Sequence, residues 1–168
     1  MLRPLVPEDW QALFAVASNP AVWELHPQYD RWQEPVFRIF FEDALAKGGA
    51  IAIIDGESGC IFGSSRWERY DPSDGGSVEI GWTFLDPSCW GGAVNRELKT
   101  LMVVHALRYV HRVDFRVAEG NLRSRRAMEK IGGRLSDRST ILATASGDVL
   151  HVVYEIDRES FASGPLAE

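Results

Sequence analysis

Cysteine is scarce in this chain, and the scarcity narrows its chemistry. Only Cys60 and Cys89 occur among 168 residues, far apart and in no C-x-x-C spacing. Neither a disulfide framework nor a thiolate metal site is expected. Four scattered histidines form no ligand cluster, so no metal is expected either. No apolar run approaches the ~18 residues of a membrane span, and Met1-Leu2-Arg3-Pro4 lacks the apolar core of a signal peptide. A cytoplasmic protein with reduced thiols and no membrane partner is the expectation. Positive charge is also short. Lys and Arg number 18 against 24 Asp and Glu, a net charge of −6. Such a surface repels phosphate backbones, so no nucleic-acid partner is expected, whereas an ammonium group would be attracted. Repeats, low-complexity tracts and linkers are missing too. The loop at 71–76 is turn chemistry, too short to part domains. One domain over 1–168, with its own core, follows.

What is present reads as a mixture of periods. A short strand at 2–6 is followed by a helix opened by Pro7-Glu8-Asp9, with Trp10, Leu13, Phe14 and Ala17 on its apolar face. Asn19-Pro20 stops it and starts a short second helix at 21–25. The stretch 34–47 predicts a helix with Val36, Phe37, Phe40, Ala44 and Leu45 inward, ended by Gly48-Gly49. Three runs, 50–54, 60–70 and 77–85, separated by turns, predict an antiparallel meander. The period then changes. Leu98, Leu101, Met102, His105, Ala106 and Tyr109 mark the inner face of a helix over 95–109. The run 110–118 alternates as a strand, and 121–131 predicts a helix capped by Asn121 and closed by Gly132-Gly133. A hairpin over 140–145 and 149–156 and a frayed tail from Ser160 complete the chain. The fold class is α/β, α+β mixed. One mixed sheet carries helices on both faces, and the unit across 77–118 is a right-handed parallel crossover.

Two segments carry candidate chemistry. Trp90-Gly91-Gly92-Ala93-Val94-Asn95 lies between a strand and a helix start. Glycines there permit close approach of a ligand, and the first helical turn offers orphan N–H groups to an anion such as a diphosphate. The same residues also make an ordinary turn. The second segment, Asn121-Leu122-Arg123-Ser124-Arg125-Arg126-Ala127-Met128-Glu129-Lys130-Ile131-Gly132, is at face value a capped surface helix with solvated arginines. His105 is expected in the core. Trp23, Trp32, Trp67 and Trp82 are either core or the lining of an acceptor pocket. Cys89 has no visible activating partner.

Taken together, the two segments resemble the GNAT superfamily of N-acetyltransferases, specifically the branch of the ribosomal-protein N-terminal acetyltransferases. The resemblance covers about 2–156 and rests on E-I-G-W-T-F-L-D-P-S-C-W-G-G (79–92), N-R-E-L-K-T-L-M-V-V-H-A-L (95–107) and N-L-R-S-R-R-A-M-E-K-I-G (121–132). The family's diphosphate loop usually reads R/Q-x-x-G-x-G/A. Here Trp90, Ala93 and Asn95 depart from that pattern.

The resemblance implies a GNAT fold with a splayed parallel pair, the strands 77–85 and 110–118. It implies acetyl-CoA as acyl donor and a monomer or homodimer. Pantetheine would add to the backbone of Trp82, Thr83, Phe84 and Leu85 like an extra strand. Trp90, Gly91, Gly92, Ala93, Val94, Asn95, Arg96 and Glu97 would form the diphosphate site. Asn121, Ser124 and Arg125 would contact the cofactor from the second segment, and Arg123, Arg126 and Lys130 are further candidates for the adenosine 3′-phosphate. The implied reaction is direct attack of a primary amine, on a protein N-terminus or a small molecule, in a ternary complex. Neutralising an α-amino group at pH 7 costs about 1.4 kcal/mol and a lysine about 4.6. Glu79 is the candidate base and Asp114 the second choice. The tyrosine that many members use as acid is replaced by Met128, which leaves Ser124 near the sulfur. His151 and Tyr154 would wall the acceptor side. The alternative is a catalytically silent acyl-CoA-binding regulatory module.

Overall fold

A computed structural model describes residues 1–144 and 146–167. After strand β1 (Leu2–Pro4), a turn at Pro7–Asp9 leads into helix α1 (Trp10–Ala17). Asn19 then caps a short turn, Pro20–Val22, by accepting the Ala21 N–H at 3.1 Å. Helix α2 (Glu34–Lys47) carries Pro35 in its first turn, where a missing N–H costs nothing. Strand β2 (Ala50–Ile54) is buried at all five positions. That is why it reads as an unbroken apolar run rather than an alternation. Strands β3 (Ile61–Asp71) and β4 (Ser77–Leu85) complete the meander. Helix α3 (Val94–Ala106), strand β5 (Arg112–Ala118), helix α4 (Leu122–Lys130), strands β6 (Arg134–Thr144) and β7 (Gly147–Asp157) and the short helix α5 (Arg158–Ala162) follow.

The seven strands form one sheet in the order β1-β2-β3-β4-β5-β7-β6. Every neighbouring pair is antiparallel except β4 and β5, which run parallel and are linked through α3. Helices cover both faces. Leu98, Met102 and Val103 of α3 and Met128 of α4 pack with Ile80, Phe115 and Tyr154. Leu13, Val16 and Ala17 of α1 and Phe37 and Phe41 of α2 pack with Trp23 and Phe84 on the opposite face. Among the described residues no helix is long and apolar enough to cross a membrane.

Several sequence expectations need correction. His105 is exposed, with its ring tilted against those of Trp67 and Tyr109 at 5.4 Å from each, and Leu101 and Tyr109 are exposed as well. The buried stripe of α3 is Leu98, Lys99, Met102, Val103 and Ala106, a narrower face than expected. Phe41, not Phe40, is among the fully buried residues of α2. Strand β6 begins at Arg134, well before the expected start at 140, while Ala145 lies outside the described residues. The segment after Asp157 is not frayed. Asp157 and Ser160 form a reciprocal capping box on α5, and Leu166 is buried.

Candidate active site

The site begins where β4 and β5 part. Parallel pairing is confined to Ser77 with Arg112, Val78 with Val113 and Glu79 with Asp114, although both strands run on. Beyond Glu79, β4 also bulges. Ser64 faces Phe84 and Arg66 faces Gly81, so Ser65 stands opposite both Trp82 and Thr83. Trp82 takes the extra residue's place with φ 53°, an unusual conformation for a bulky side chain. The bulge increases the local twist and turns this edge of β4 away from β5.

A cavity of about 290 Å³ fills the gap. Trp82, Thr83, Phe84, Leu85, Trp90, Gly91, Asn95, Asn121 and Ser124 line it, which unites most of the cofactor residues expected from sequence. Gly92, Ala93, Val94, Arg96, Glu97 and Arg125 are not among its lining. Gly92 to Val94 lead into α3, whose first turn carries no side-chain cap from Ala93. Gly91 has φ 71° and open space where a side chain would be. A helix N-terminus with orphan donors beside a permissive backbone suits an anion. Arg96 instead donates to the Pro165 carbonyl at 2.5 Å, and Arg125 to the Tyr154 hydroxyl at 3.1 Å. Trp90 is held by its indole N–H on the Leu85 carbonyl (3.1 Å), with Arg123 over its ring. Asn121 caps α4 by accepting the Ser124 N–H at 3.1 Å, which places Ser124 and Met128 on the cavity wall.

A second cavity, of about 150 Å³, opens from the first and shares His26, Pro27, Gly81, Trp82, Arg116 and His151 with it. Glu79 lies here, buried, with Oε2 accepting from Arg69 at 2.7 Å and forming a looser ion pair with Arg116 Nη2 at 3.6 Å. Asp114 is committed elsewhere. Arg138 donates to both of its oxygens at 2.7 Å, and Arg112 adds a bond at 3.0 Å. His151 lines both cavities. Its Nδ1 lies 3.0 Å from the Val149 carbonyl, which can only accept, so Nδ1 is the donor of this contact and Nε2 is left for other partners. Tyr154 does not wall this side; it is buried beneath α4, bonded to Arg125 and Glu129. Of the four tryptophans considered, only Trp82 lines either cavity. Trp23 is core, Trp67 packs on His105, and Trp32 is exposed.

Two polar residues that sequence reading missed face the same space. Lys99 is 3% exposed, and Nζ donates to the Thr83 hydroxyl at 2.8 Å. Thr83 in turn is bonded to Ser65. Burial pushes the Lys99 ammonium down to about 7. A charged residue inside the buried stripe 98, 99, 102, 103, 106 is the signal that could have found it. His26 lies in the segment between α1 and α2. Burial first, then Arg31, His151 and Arg123, push it down to about 3, and its Nδ1 accepts the Gln28 N–H at 2.9 Å.

The architecture is shared with solved acetyltransferases. An acetyltransferase (GNAT family) from Bacillus anthracis superposes with a TM-score of 0.77 at 20% identity, over 94% of each chain. The spermidine N-acetyltransferase from Vibrio cholerae, solved with CoA and spermine, gives 0.70 at 13% identity over 96% of each. The ribosomal-protein-alanine N-acetyltransferase from Brucella melitensis gives 0.66 at 16% identity, over 94% of this chain and 99% of that one. A search of the curated proteins gives no match. Residues 1–134 match the family model described as Acetyltransferase (GNAT) domain, and the chain belongs to this family of acetyltransferases.

Proposed function

We propose that this enzyme transfers an acetyl group from acetyl-CoA to a primary amine by direct attack in a ternary complex. The parting of β4 from β5 after three residue pairs carries the reading. It leaves one edge of β4 unpaired by β5, along a cavity that leads to the uncapped start of α3. A pantetheine amide chain matches such an edge, and a diphosphate matches such a helix start. When bound, acetyl-CoA supplies an activated acyl carbonyl and a thiolate leaving group. The amine enters through the second cavity, from the opposite side of the parting. Glu79 removes its proton through Oε1, the oxygen with no hydrogen-bond partner among the described residues. His151 is the second reading for the base, favoured by its place on the lining of both cavities. Ser124 Oγ stands on the donor wall, where it can hold a proton for the departing sulfur. The compartment we assign is the cytoplasm, which suits the free thiols of Cys60 and Cys89.

The test is an amine panel with acetyl-CoA, followed by release of free thiol. Amine-dependent release is expected. CoA binding without turnover on any amine would instead make the chain a silent acyl-CoA-binding module.

A further inference from the structure

The second cavity has an unbalanced charge. Among the described residues three guanidiniums line it, from Arg31, Arg69 and Arg116, and Glu79 is the only carboxylate. Arg69 already uses Glu79 Oε2 at 2.7 Å, and Arg116 reaches the same oxygen only at 3.6 Å. Arg116 Nε is buried without any hydrogen-bond partner. Arg31 makes no ion pair or hydrogen bond to another described residue and lies instead over the Phe40 ring at 4.4 Å and the Trp23 ring at 5.5 Å. Its own guanidinium is pushed down to about 10, first by burial and then by Arg66, against the opposing pull of Asp30. Neither histidine of the lining supplies an anion, and His26 is held neutral.

A bare amine does not balance such a cavity. Protonated, it meets like charge on three sides. Neutral, it leaves Arg31 with the charge of Asp30 but no ion pair, and Arg116 with a 3.6 Å contact to Glu79, in surroundings where a poorly compensated charge is costly. An acceptor that brings its own anion satisfies them, and a planar guanidinium fork is matched to a carboxylate or phosphonate. The size of the space points the same way. About 150 Å³ of space, continuous with the first cavity, suits a compact group. The walls are also tied together, because the Ser146 hydroxyl donates to the Pro27 carbonyl at 2.9 Å, joining the β6–β7 turn to the α1–α2 segment. A compact acceptor fits beneath that tie better than an extended polypeptide.

We infer that the acceptor is a small amine that also carries an anionic group, an amino acid or its phosphonate analogue, with Arg31 and Arg116 as the anion's partners. The inference rests on the acetyl-transfer reading above and deepens it. A polyamine or a basic peptide is disfavoured by the same charges.

The experiment uses the intact enzyme saturated with CoA. The twenty L-amino acids are titrated against their carboxamides by calorimetry, and the same pairs, with spermidine, are tested with acetyl-CoA by thiol release. At least one amino acid is expected to bind, and to turn over, ~10²-fold better than its carboxamide. Arg31→Gln and Arg116→Gln should collapse that ratio to within a few fold, while a separate CoA titration of each variant, made before saturation, shows that it is folded. If carboxamides or spermidine bind as well as the acids, the inference is wrong and acetyl transfer stands. If the acids bind selectively but nothing turns over, the anion site stands and the transfer reading falls. If neither acids nor amides bind, the inference is wrong. A phosphonate analogue outcompeting its carboxylate would identify the anion's geometry and uphold the class.

Discussion

At the scale of single residues, three polar groups line the two cavities, Glu79 the second and Ser124 and Lys99 the first. A base matters most where the amine is protonated. Glu79→Gln should therefore lower the rate by roughly 10²-fold, a typical general-base effect, with the loss shrinking as pH rises past the acceptor's pKa. Ser124→Ala should cost less and about equally for every amine, since a thiolate leaves without much help. If Glu79→Gln keeps full activity across a pH–rate profile, His151 becomes the base, and His151→Gln should then show the pH-dependent loss. Lys99 makes a different prediction, about stability. Its pKa falls from 10.5 in the unfolded chain to about 7 in the folded one. Between those values the unfolded chain binds more protons, so this group makes stability rise with pH from 7 to 10.5 and adds nothing above. Lys99→Met removes the buried amine with little change of volume. The variant should be more stable than the parent by a few kcal/mol at pH 6, with the difference closing by pH 10. Urea midpoints at pH 6, 8 and 10 check this, and a difference that ignores pH would mean that Lys99 is solvated when charged.

At the scale of elements, the start of α3 is the most testable part. A side chain at Gly92 would approach nothing closer than the Cys89 carbonyl, 4.0 Å away. Gly92→Ile should therefore fold, and a bulky branched group beside the first turn of α3 should weaken CoA binding at least tenfold. Unchanged affinity by calorimetry would move the diphosphate elsewhere. Elements that bury a regular stripe were legible in the sequence: α2, β2 and β4 begin and end where their apolar patterns do. Strand β6 was not. It is an edge strand whose residues alternate between exposed and half-buried, so Arg134 to Ser139 carry no hydrophobic period. Helix α5 was missed because five residues show no periodicity, and only its cap identifies it. The walls of the donor site were legible because strand, glycine pair and capped helix are local features. Of the second cavity, the family resemblance offered Glu79 and His151, whereas Arg31, Arg69 and Arg116 carry no local pattern that marks them; they come from the α1–α2 segment, β3 and β5, and the sheet order brings them together.

At the scale of the whole molecule, the sheet is two halves with a narrow join. β1 to β4 form one half and β5, β7 and β6 the other. Three residue pairs at 77–79 and 112–114 connect their backbones, and α3 and α4 bridge the rest through the core. A ligand seated in the parting contacts both halves at once, whereas the unfolded chain offers it nothing. CoA at 100 times its Kd should then stabilise the fold by about 2.7 kcal/mol. For a chain of this size each kcal/mol moves the midpoint by about 2–4 °C, so Tm should rise by roughly 5–11 °C. Any tight ligand raises Tm, and the location of the protection separates this site from another. Amide exchange should slow along Gly81 to Leu85 of β4 and in the first turn of α3, where backbone N–H groups meet the ligand. In β6, which lines the acceptor side, CoA alone should leave exchange almost unchanged. A Tm shift with protection spread evenly over the sheet, or concentrated away from β4, would mean that CoA binds outside the parting and that the opening after Glu79 serves another purpose.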